Sequence, residues 1–296
     1  MTISLCEQEL GHFCDVINKE ISCTPEIIYH YTSSNALLSI IQNKELWFSN
    51  IFFLNDSTEN KYIYTCLKDY VNENTDKYND SFCMFMTDFS DYFLESNVSK
   101  SHYVLPKTYV ASFSIKEDEL SLWNYYTKSN IYLGYNIGFN TKDFINYSND
   151  GDLISYYGQV IYGKDLLNKI FDKIILDIYK IFVNLDLMHQ SILFDDLAVA
   201  FNRYSMFFKD KSFSSESEYR IVWQTNNQAY LHERNGFFIP YQKYSIPIKS
   251  IRSIIISPTQ NFNIAKLGIE ELLYSCIDKK YTDTIKIKKS NIPLRY

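Results

Sequence analysis

The chain has 296 residues, which is enough for one large domain or two small ones. Its formal net charge of -6 argues against strong non-specific binding to nucleic acid, because such binding depends on lysine and arginine neutralising phosphates. The eight glycines form no glycine-rich phosphate loop. Hydrophobic residues make up 46% of the chain, so we expect a sizeable core, and the apolar runs are too short to cross a membrane.

The six cysteines indicate whether the protein occupies a reducing or an oxidising compartment. None of them forms a CxxC pair, so the sequence indicates no zinc site. The first residues form the pattern of an amphipathic helix rather than that of a signal peptide. We therefore expect free thiols and a cytoplasmic protein.

Apolar spacing and turn residues predict alternating helices and strands in the first half of the chain. The predicted elements are helix Leu5–Asn18, strand Ile27–Thr32, a helix capped by Ser33 or Ser34, strand Glu45–Ser49, helix Lys61–Val71, helix Phe82–Phe93, strand Thr108–Ser114 and helix Leu120–Thr127.

The second half is predicted to add six strands and three helices. The strands are Ile131–Phe139, Tyr156–Tyr162, Ser217–Trp223, Gly236–Tyr244, Ile251–Ser257 and Thr284–Ile287, and the helices are Lys164–Val183, Leu187–Phe208 and Ile264–Leu273. Because no repeat or low-complexity linker interrupts them, we predict one α+β domain over residues 1–296 with a helical insertion at about 164–208.

The first strand carries hydrogen-bonding side chains on one face. Side chains alternate across a strand, so His30 and Thr32 share a face, and Tyr29 and Tyr31 share the other. A histidine two residues before a threonine is able to bind a ligand hydroxyl. The ordinary structural explanation is an imidazole bonded to a neighbouring backbone group.

A polar loop follows the second strand and contains Asn55, Asp56 and Glu59. These residues favour turns, and Asp56 is able to cap the next helix, with Glu59 in its first turn. Alternatively the loop lines a ligand cleft, with Asn55 and Asp56 binding the cofactor, or it holds the first strand in place. A metal site built from Asp56 and Glu59 is a third interpretation, although no further ligand cluster is evident.

The predicted helix Leu120–Thr127 places Trp123 and Tyr126 one turn apart on the same face. An aromatic pair at this spacing is more often part of a core than of a cofactor site. Such a pair is nevertheless able to stack on a flat ring such as nicotinamide or adenine.

The acidic segment Glu216–Arg220 is the strongest single feature. If a strand begins there, Glu216, Glu218 and Arg220 line one face. One explanation is a half-solvated strand with a surface ion pair. The functional interpretation is a carboxylate that stabilises positive charge in a transition state, beside an arginine that orients the acid or binds phosphate, with Lys211 joining the anion site.

Together these segments resemble an uncharacterised bacterial family, domain of unknown function twenty-nine seventy-one. The matching segments are Tyr29-His30-Tyr31-Thr32, Leu46-Trp47-Phe48-Ser49, Leu54-Asn55-Asp56-x-x-Glu59, Ser112-Phe113-Ser114, Leu122-Trp123-x-x-Tyr126, Gly138-Phe139 and Lys211-x-Phe213-x-x-Glu216-x-Glu218-Tyr219-Arg220. They span residues 27 to about 257, and Phe213 replaces the tryptophan expected in this family.

That family in turn resembles ADP-ribosyltransferases, which implies a mixed, mainly antiparallel split sheet. In those enzymes a His-x-Thr strand binds NAD, an aromatic residue stacks on nicotinamide, and a late glutamate stabilises the cationic ribose. The resemblance implies that His30 and Thr32 bind NAD and that the backbone of Tyr31 bonds the carboxamide. Tyr31 stands where several such enzymes have glycine. The implied roles of the remaining residues are stacking for Trp123 or Tyr126 and catalysis for Glu218 or Glu216 with Arg220.

The resemblance therefore implies an enzyme that uses NAD as its substrate, passes ADP-ribose to a protein, a nucleic acid or water, and works with a partner protein in a phage-defence or toxin system. Two alternatives stay open. One is a regulatory module that binds a nucleotide or a partner without turnover. The other is a metal-dependent nucleic-acid-processing enzyme, against which the net charge argues.

Overall fold

The protein is described by a computed structural model that covers residues 2–54, 61–95, 107–126, 133–146 and 154–294. The chain forms two compact units, each assembled from three segments. The helical unit contains Met1–Cys23, Ile51–Lys107 and Gly158–Ser214, and the sheet unit contains Thr24–Asn50, Thr108–Tyr157 and Ser215–Tyr296. The prediction of a single domain stays a prediction.

The helices, in chain order, are α1 (Thr2–Ile21), α2 (Ser34–Asn43), α3 (Tyr62–Glu73), α4 (Asp80–Glu95), α5 (Leu120–Tyr126), α6 (Thr141–Ile145), α7 (Lys164–Phe182), α8 (Leu187–Tyr204), α9 (Phe262–Cys276) and α10 (Lys279–Thr282). Ser33 caps α2 as predicted, because its hydroxyl accepts a hydrogen bond from Ala36 N. The predicted helix Leu187–Phe208 is too long, since α8 ends at Tyr204 and a short 3₁₀ turn follows.

The strands are β1 (Ile27–Thr32), β2 (Glu45–Asn50), β3 (Lys107–Ser114), β4 (Tyr135–Asn140), β5 (Tyr156–Gln159), β6 (Ile161–Tyr162), β7 (Phe208–Lys209), β8 (Glu218–Thr225), β9 (Tyr230–Arg234), β10 (Phe237–Ser245), β11 (Ile251–Ile256) and β12 (Lys286–Lys289). The single strand predicted over Tyr156–Tyr162 is wrong: β5 belongs to the large sheet, and β6 pairs with β7 in a separate ladder. Strand β9 is not among the predicted elements.

The helical unit is built from α1, α3, α4, α7 and α8. Helix α7 buries a stripe of apolar residues at helical spacing: Leu167, Ile170, Phe171, Ile174, Ile175, Ile178 and Phe182. Helix α1 packs against both α7 and α8, with the rings of Phe13 and Phe201 5.1 Å apart. The predicted helical insertion is therefore part of a larger helical assembly that also uses α1, α3 and α4.

The sheet unit is organised around a ten-stranded sheet in the order β12-β11-β4-β1-β3-β2-β10-β9, with β8 pairing with β3 and β5. The ladders β1–β3, β1–β4, β2–β3, β2–β10, β4–β11 and β9–β10 are antiparallel, whereas β11 and β12 are parallel. The predicted class, a mixed fold with a mainly antiparallel open sheet, is confirmed. Helices α2 and α9 contact each other in this unit, and residues from both enter its largest apolar core.

Strand β3 has three partners although a strand has only two edges. Ser217 O accepts a hydrogen bond from Ile115 N, and the side chains of Gln224 and Thr108 are bonded, so β8 follows one edge of β3 along its length. On the other edge, β1 pairs at Ser114 and β2 pairs at residues 109 and 110. Strands β1 and β2 therefore share that edge, and a fork opens between them at Ser112.

Candidate functional site

Two charged residues are buried at the start of β8. Arg220 Nε donates to Glu218 Oε1 at 2.7 Å, and Arg220 Nη2 donates to Oε2 at 2.9 Å. The side chains of Arg220 and Glu218 are only 1% and 4% exposed. A bidentate contact of this kind is the geometry in which a guanidinium binds a carboxylate most strongly, and burial without it would be costly. The surface ion pair considered from the sequence is thus a buried one.

Strand alternation fixes the face on which this pair lies. Tyr219 and Ile221 belong to the same apolar core as Ile28 and Phe113. Glu218 and Arg220 therefore point to the opposite face of the sheet, as do Tyr29 and Tyr31 on β1 and Ser114 on β3. We call the side with the apolar core the core face, and the side that carries Glu218, Arg220, Tyr29, Tyr31 and Ser114 the polar face.

The predicted alignment of Glu216 with Glu218 is wrong. Glu216 ends a 3₁₀ helix, Lys211–Glu216, and Ser217 has a φ of 44° before β8 begins. A left-handed residue turns the chain, so strand alternation does not extend back to Glu216. Glu216 is nevertheless buried, and its backbone carbonyl accepts a hydrogen bond from Ser114 Oγ at 2.7 Å. A non-glycine residue in this backbone region carries strain, which is often found at functional sites.

His30 lies at the fork of β3. Its Nδ1 is 3.1 Å from the backbone carbonyl oxygen of Ser112, and its ring lies 5.7 Å from that of Phe113. Ser112 lies between Ser114, which pairs with β1, and residues 109 and 110, which pair with β2. Its backbone carbonyl is therefore available to the side chain of His30. A carbonyl accepts only, so Nδ1 carries the proton, and Nε2 is an acceptor when the ring is neutral.

The structure does not bring His30 and Glu218 to one face. His30 starts from the core face, with Ile28, whereas Glu218 starts from the polar face. The contact with Ser112 matches the ordinary structural explanation of this histidine. Thr32 is buried and pairs with Tyr135 in the β1–β4 ladder. The roles of His30 and Thr32 in binding NAD stay predictions.

The aromatic residues of α5 belong to a small core on the polar face. Trp123 is fully buried, lies edge-on to Tyr31 at 4.8 Å between ring centroids, and donates from Nε1 to Asp118 Oδ1 at 2.8 Å. Tyr126 packs partly buried against the same cluster. The hydroxyl of Tyr31 donates to Lys116 O and accepts from Glu119 N, both at 3.0 Å. These contacts support the packing interpretation of the Trp123–Tyr126 pair.

Asp118, which is not among the predicted site residues, connects α5 to the carboxy-terminal segment. It accepts hydrogen bonds from Trp123 Nε1, from Ser290 Oγ at 2.8 Å and from Asn291 N at 2.7 Å. In the sequence, the acidic turn before α5 is recognisable only as the start of a helix. The neighbouring residues do not indicate that Asp118 is bonded to residues more than 170 positions later.

The remaining predicted residues lie elsewhere. Lys211 is exposed at the start of a 3₁₀ helix in the helical unit. Its Cβ lies beside Gly163, at 3.5 Å from the point that a Cβ on this glycine would occupy. Asn55, Asp56 and Glu59 fall outside the described residues. Within the described ranges, no group of three histidine, cysteine, aspartate or glutamate side chains is placed to hold a metal.

The fold and this site define a mixed α/β protein with a buried acid–arginine pair on an open antiparallel sheet. The family model described as Protein of unknown function (DUF2971) matches residues 122–221, from α5 to the middle of β8. The match supports the resemblance to that family over Trp123, Tyr126 and the Glu218–Arg220 segment. No curated protein and no solved structure matches the chain. None of the described helices has the length and apolarity needed to cross a membrane.

The first prediction concerns the buried pair. Arg220→Met removes the guanidinium that is bonded to both oxygens of the buried Glu218 carboxylate, and we expect a loss of about 3–5 kcal/mol in the free energy of unfolding. Lys243→Met is the matched control, because Lys243 pairs with Glu45 at 3.6 Å near the surface and should cost less than about 1 kcal/mol. Urea unfolding measures both. Equal losses in the two variants would contradict a buried, mutually dependent pair.

The second prediction concerns pH. Burial lowers the pKa of His30 below its ordinary value of 6.5, and the hydrogen bond to Ser112 offsets only part of that effect. Below pH 6.5 the unfolded chain therefore binds more protons at His30 than the folded chain does. The stability that neutral His30 contributes is present above pH 6.5, and it is lost as the pH falls towards the pKa of the folded state. His30→Gln should therefore lose less stability than the natural protein between pH 7 and pH 5 in urea unfolding. Parallel pH profiles would contradict this.

Proposed function

We propose that the protein is an NAD-using enzyme of the ADP-ribosyltransferase kind, which transfers ADP-ribose or hydrolyses NAD. The observation that carries the proposal is Glu218: a carboxylate held away from water, at the first position of a late strand, by a bidentate contact with Arg220. The sharing of one β3 edge by β1 and β2 is in keeping with the split sheet expected of such enzymes.

The chemistry needs a carboxylate of this kind. When the nicotinamide–ribose bond breaks, neutral nicotinamide leaves with the bonding electron pair, and positive charge develops on ribose C1′ and the ring oxygen. The nucleophile, a hydroxyl or another polar group of a macromolecule or a water molecule, then bonds to C1′ and loses its proton. A fixed negative charge beside C1′ stabilises the cationic transition state, most effectively where water is excluded.

Arg220 is the positioning residue in this proposal. The bidentate contact of its guanidinium fixes the plane of the Glu218 carboxylate, the group that we assign to the ribose. Ser217, in its left-handed conformation, sets the point at which Glu218 enters the strand.

A second candidate is a regulatory module that binds a nucleotide or a partner protein without turnover. It is favoured by the same burial, because both oxygens of Glu218 are already engaged by Arg220 and the pair is nearly inaccessible to solvent. The acceptor of ADP-ribose, a partner protein and a role in phage defence or toxicity rest on the family resemblance and stay predictions, as does NAD binding by His30, Thr32 and Lys211.

The third prediction tests the reaction. The purified protein, incubated with NAD alone and with protein or nucleic-acid acceptors, should release nicotinamide, measured by chromatography. Glu218→Gln removes the negative charge and should slow release by about 100-fold or more. Glu218→Asp keeps the charge but withdraws it by one methylene, and it should also be slow while retaining the ion pair with Arg220.

The matched control for this experiment is Glu233→Gln. Glu233 lies on the exposed strand β9, where its carboxylate accepts from Gly236 N, and an amide oxygen can replace it. This variant should release nicotinamide at the natural rate. The proposal fails if the natural protein neither binds NAD nor releases nicotinamide with any acceptor. The regulatory module would be favoured if neither the natural protein nor Glu218→Gln releases nicotinamide, and if Glu218→Gln still binds NAD and keeps the biological effect.

A further inference from the structure

Strand β9 forms one end of the ten-stranded sheet. In the described part of the chain it pairs with β10 alone, so its other edge faces outward. Only His232 of its five residues is partly buried, and the side chains of Tyr230 and Leu231 are 50% and 61% exposed. On β10, Phe237 and Phe238 are 68% and 71% exposed. An exposed, apolar edge of this kind is a template for pairing with another strand.

The turn between β9 and β10 decides which backbone groups lie on the outward edge. The Asn-Gly turn at residues 235–236 has φ values of 54° and 83°, as in the two-residue turns that favour hairpins. Such a turn is closed by a hydrogen bond between the residues that flank it, here Arg234 and Phe237. Along an antiparallel strand, residues bonded to one neighbour alternate with residues directed away from it. Leu231 and Glu233 therefore direct their N–H and C=O groups outward.

Two features of β10 agree with this assignment. Pro240 stands opposite Leu231, and a proline has no N–H to donate, as suits a pair that is not hydrogen-bonded. On the other side of β10, Ile246 N donates to Lys44 O at 2.8 Å. By alternation, the even-numbered residues of β10 are directed towards β2 and the odd-numbered ones towards β9. The backbone groups of Leu231 are therefore not used within the hairpin.

We propose that β9 is a dimerisation edge, which pairs with β9 of a second copy of this chain. An antiparallel pairing about a two-fold axis at His232 sets Leu231 opposite the partner's Glu233 and Glu233 opposite the partner's Leu231. Both pairs join residues whose backbone groups are directed outward, so each pair exchanges two hydrogen bonds. All five residues of β9 take part, and the sheets of the two copies become one continuous sheet.

Strand length and charge favour this register over its neighbours. Outward-directed groups face each other only when the axis passes through a residue, not between two residues. An axis at Glu233 sets it opposite the partner's Glu233, and like charges directly opposite are destabilising. An axis at Leu231 leaves Glu233 and Arg234 outside the paired strands. The axis at His232 pairs the whole strand and sets the positive charge of Arg234 beside the ring of the partner's Tyr230.

The first test measures the mass of the intact protein by analytical ultracentrifugation. One strand pair is smaller than a standard interface, so we expect dimers with a dissociation constant of about 10 μM. Leu231→Pro removes an outward N–H from each copy but no hydrogen bond to β10, and it should weaken the dimer by about tenfold or more. Leu231→Thr is the matched control. It keeps the N–H in a residue that favours strands, and it should dimerise within about threefold of the natural protein.

A disulfide cross-link tests the register. His232→Cys places the two introduced thiols directly opposite each other, at a Cα separation of about 4.5–5.5 Å that a disulfide spans. Tyr230→Cys is the control, because the two substituted positions are then about 13 Å apart along the paired strands. Under mild oxidation, only His232→Cys should give more covalent dimer than the natural protein, whose own thiols, such as that of exposed Cys23, set the baseline.

Circular dichroism establishes that each variant folds, and the cross-link decides the matter if Leu231→Pro does not. Three results would overturn the inference: a natural protein that stays monomeric at about 100 μM, a folded Leu231→Pro variant that dimerises as tightly as the natural protein, or equal cross-linking at positions 230 and 232. A monomeric protein whose β9 pairs only with a strand of another protein would also overturn it. The inference goes beyond the proposed function and does not depend on it, because neither Glu218 nor Arg220 takes part in the pairing.

Discussion

The structure of the sheet unit depends on the buried contact between Glu218 and Arg220. Both charges are buried, and the two hydrogen bonds that join them offset part of the cost of removing each from water. The contact requires both residues on one face of β8, which in turn commits Tyr219 and Ile221 to the apolar core. The ion pair and the apolar core therefore favour the same orientation of β8.

The second constraint is the fork on β3. Because β1 and β2 share one edge, the carbonyl of Ser112 falls between their ladders, and His30 bonds it. The position of this imidazole is therefore a consequence of the strand topology.

Local patterns in the sequence predicted much of this arrangement. The alternation in β1 and β8 gave the correct faces for His30, Tyr29 and Glu218, and the serine before α2 gave its cap. The sequence did not reveal what depends on a single backbone torsion or on distant partners. The left-handed Ser217 removes Glu216 from the strand, and Asp118 is fixed by residues of the carboxy-terminal segment. Strand β9 lacks the apolar alternation of a buried strand because nearly all of it is exposed.

We propose that the polar face binds NAD with its ribose at Glu218. The most direct measurement is a crystal structure with a non-cleavable NAD analogue. We expect a carboxylate oxygen of Glu218 within hydrogen-bonding distance of a ribose hydroxyl. An analogue bound away from the polar face, or a Glu218 that contacts only Arg220 while the analogue is bound, would contradict it.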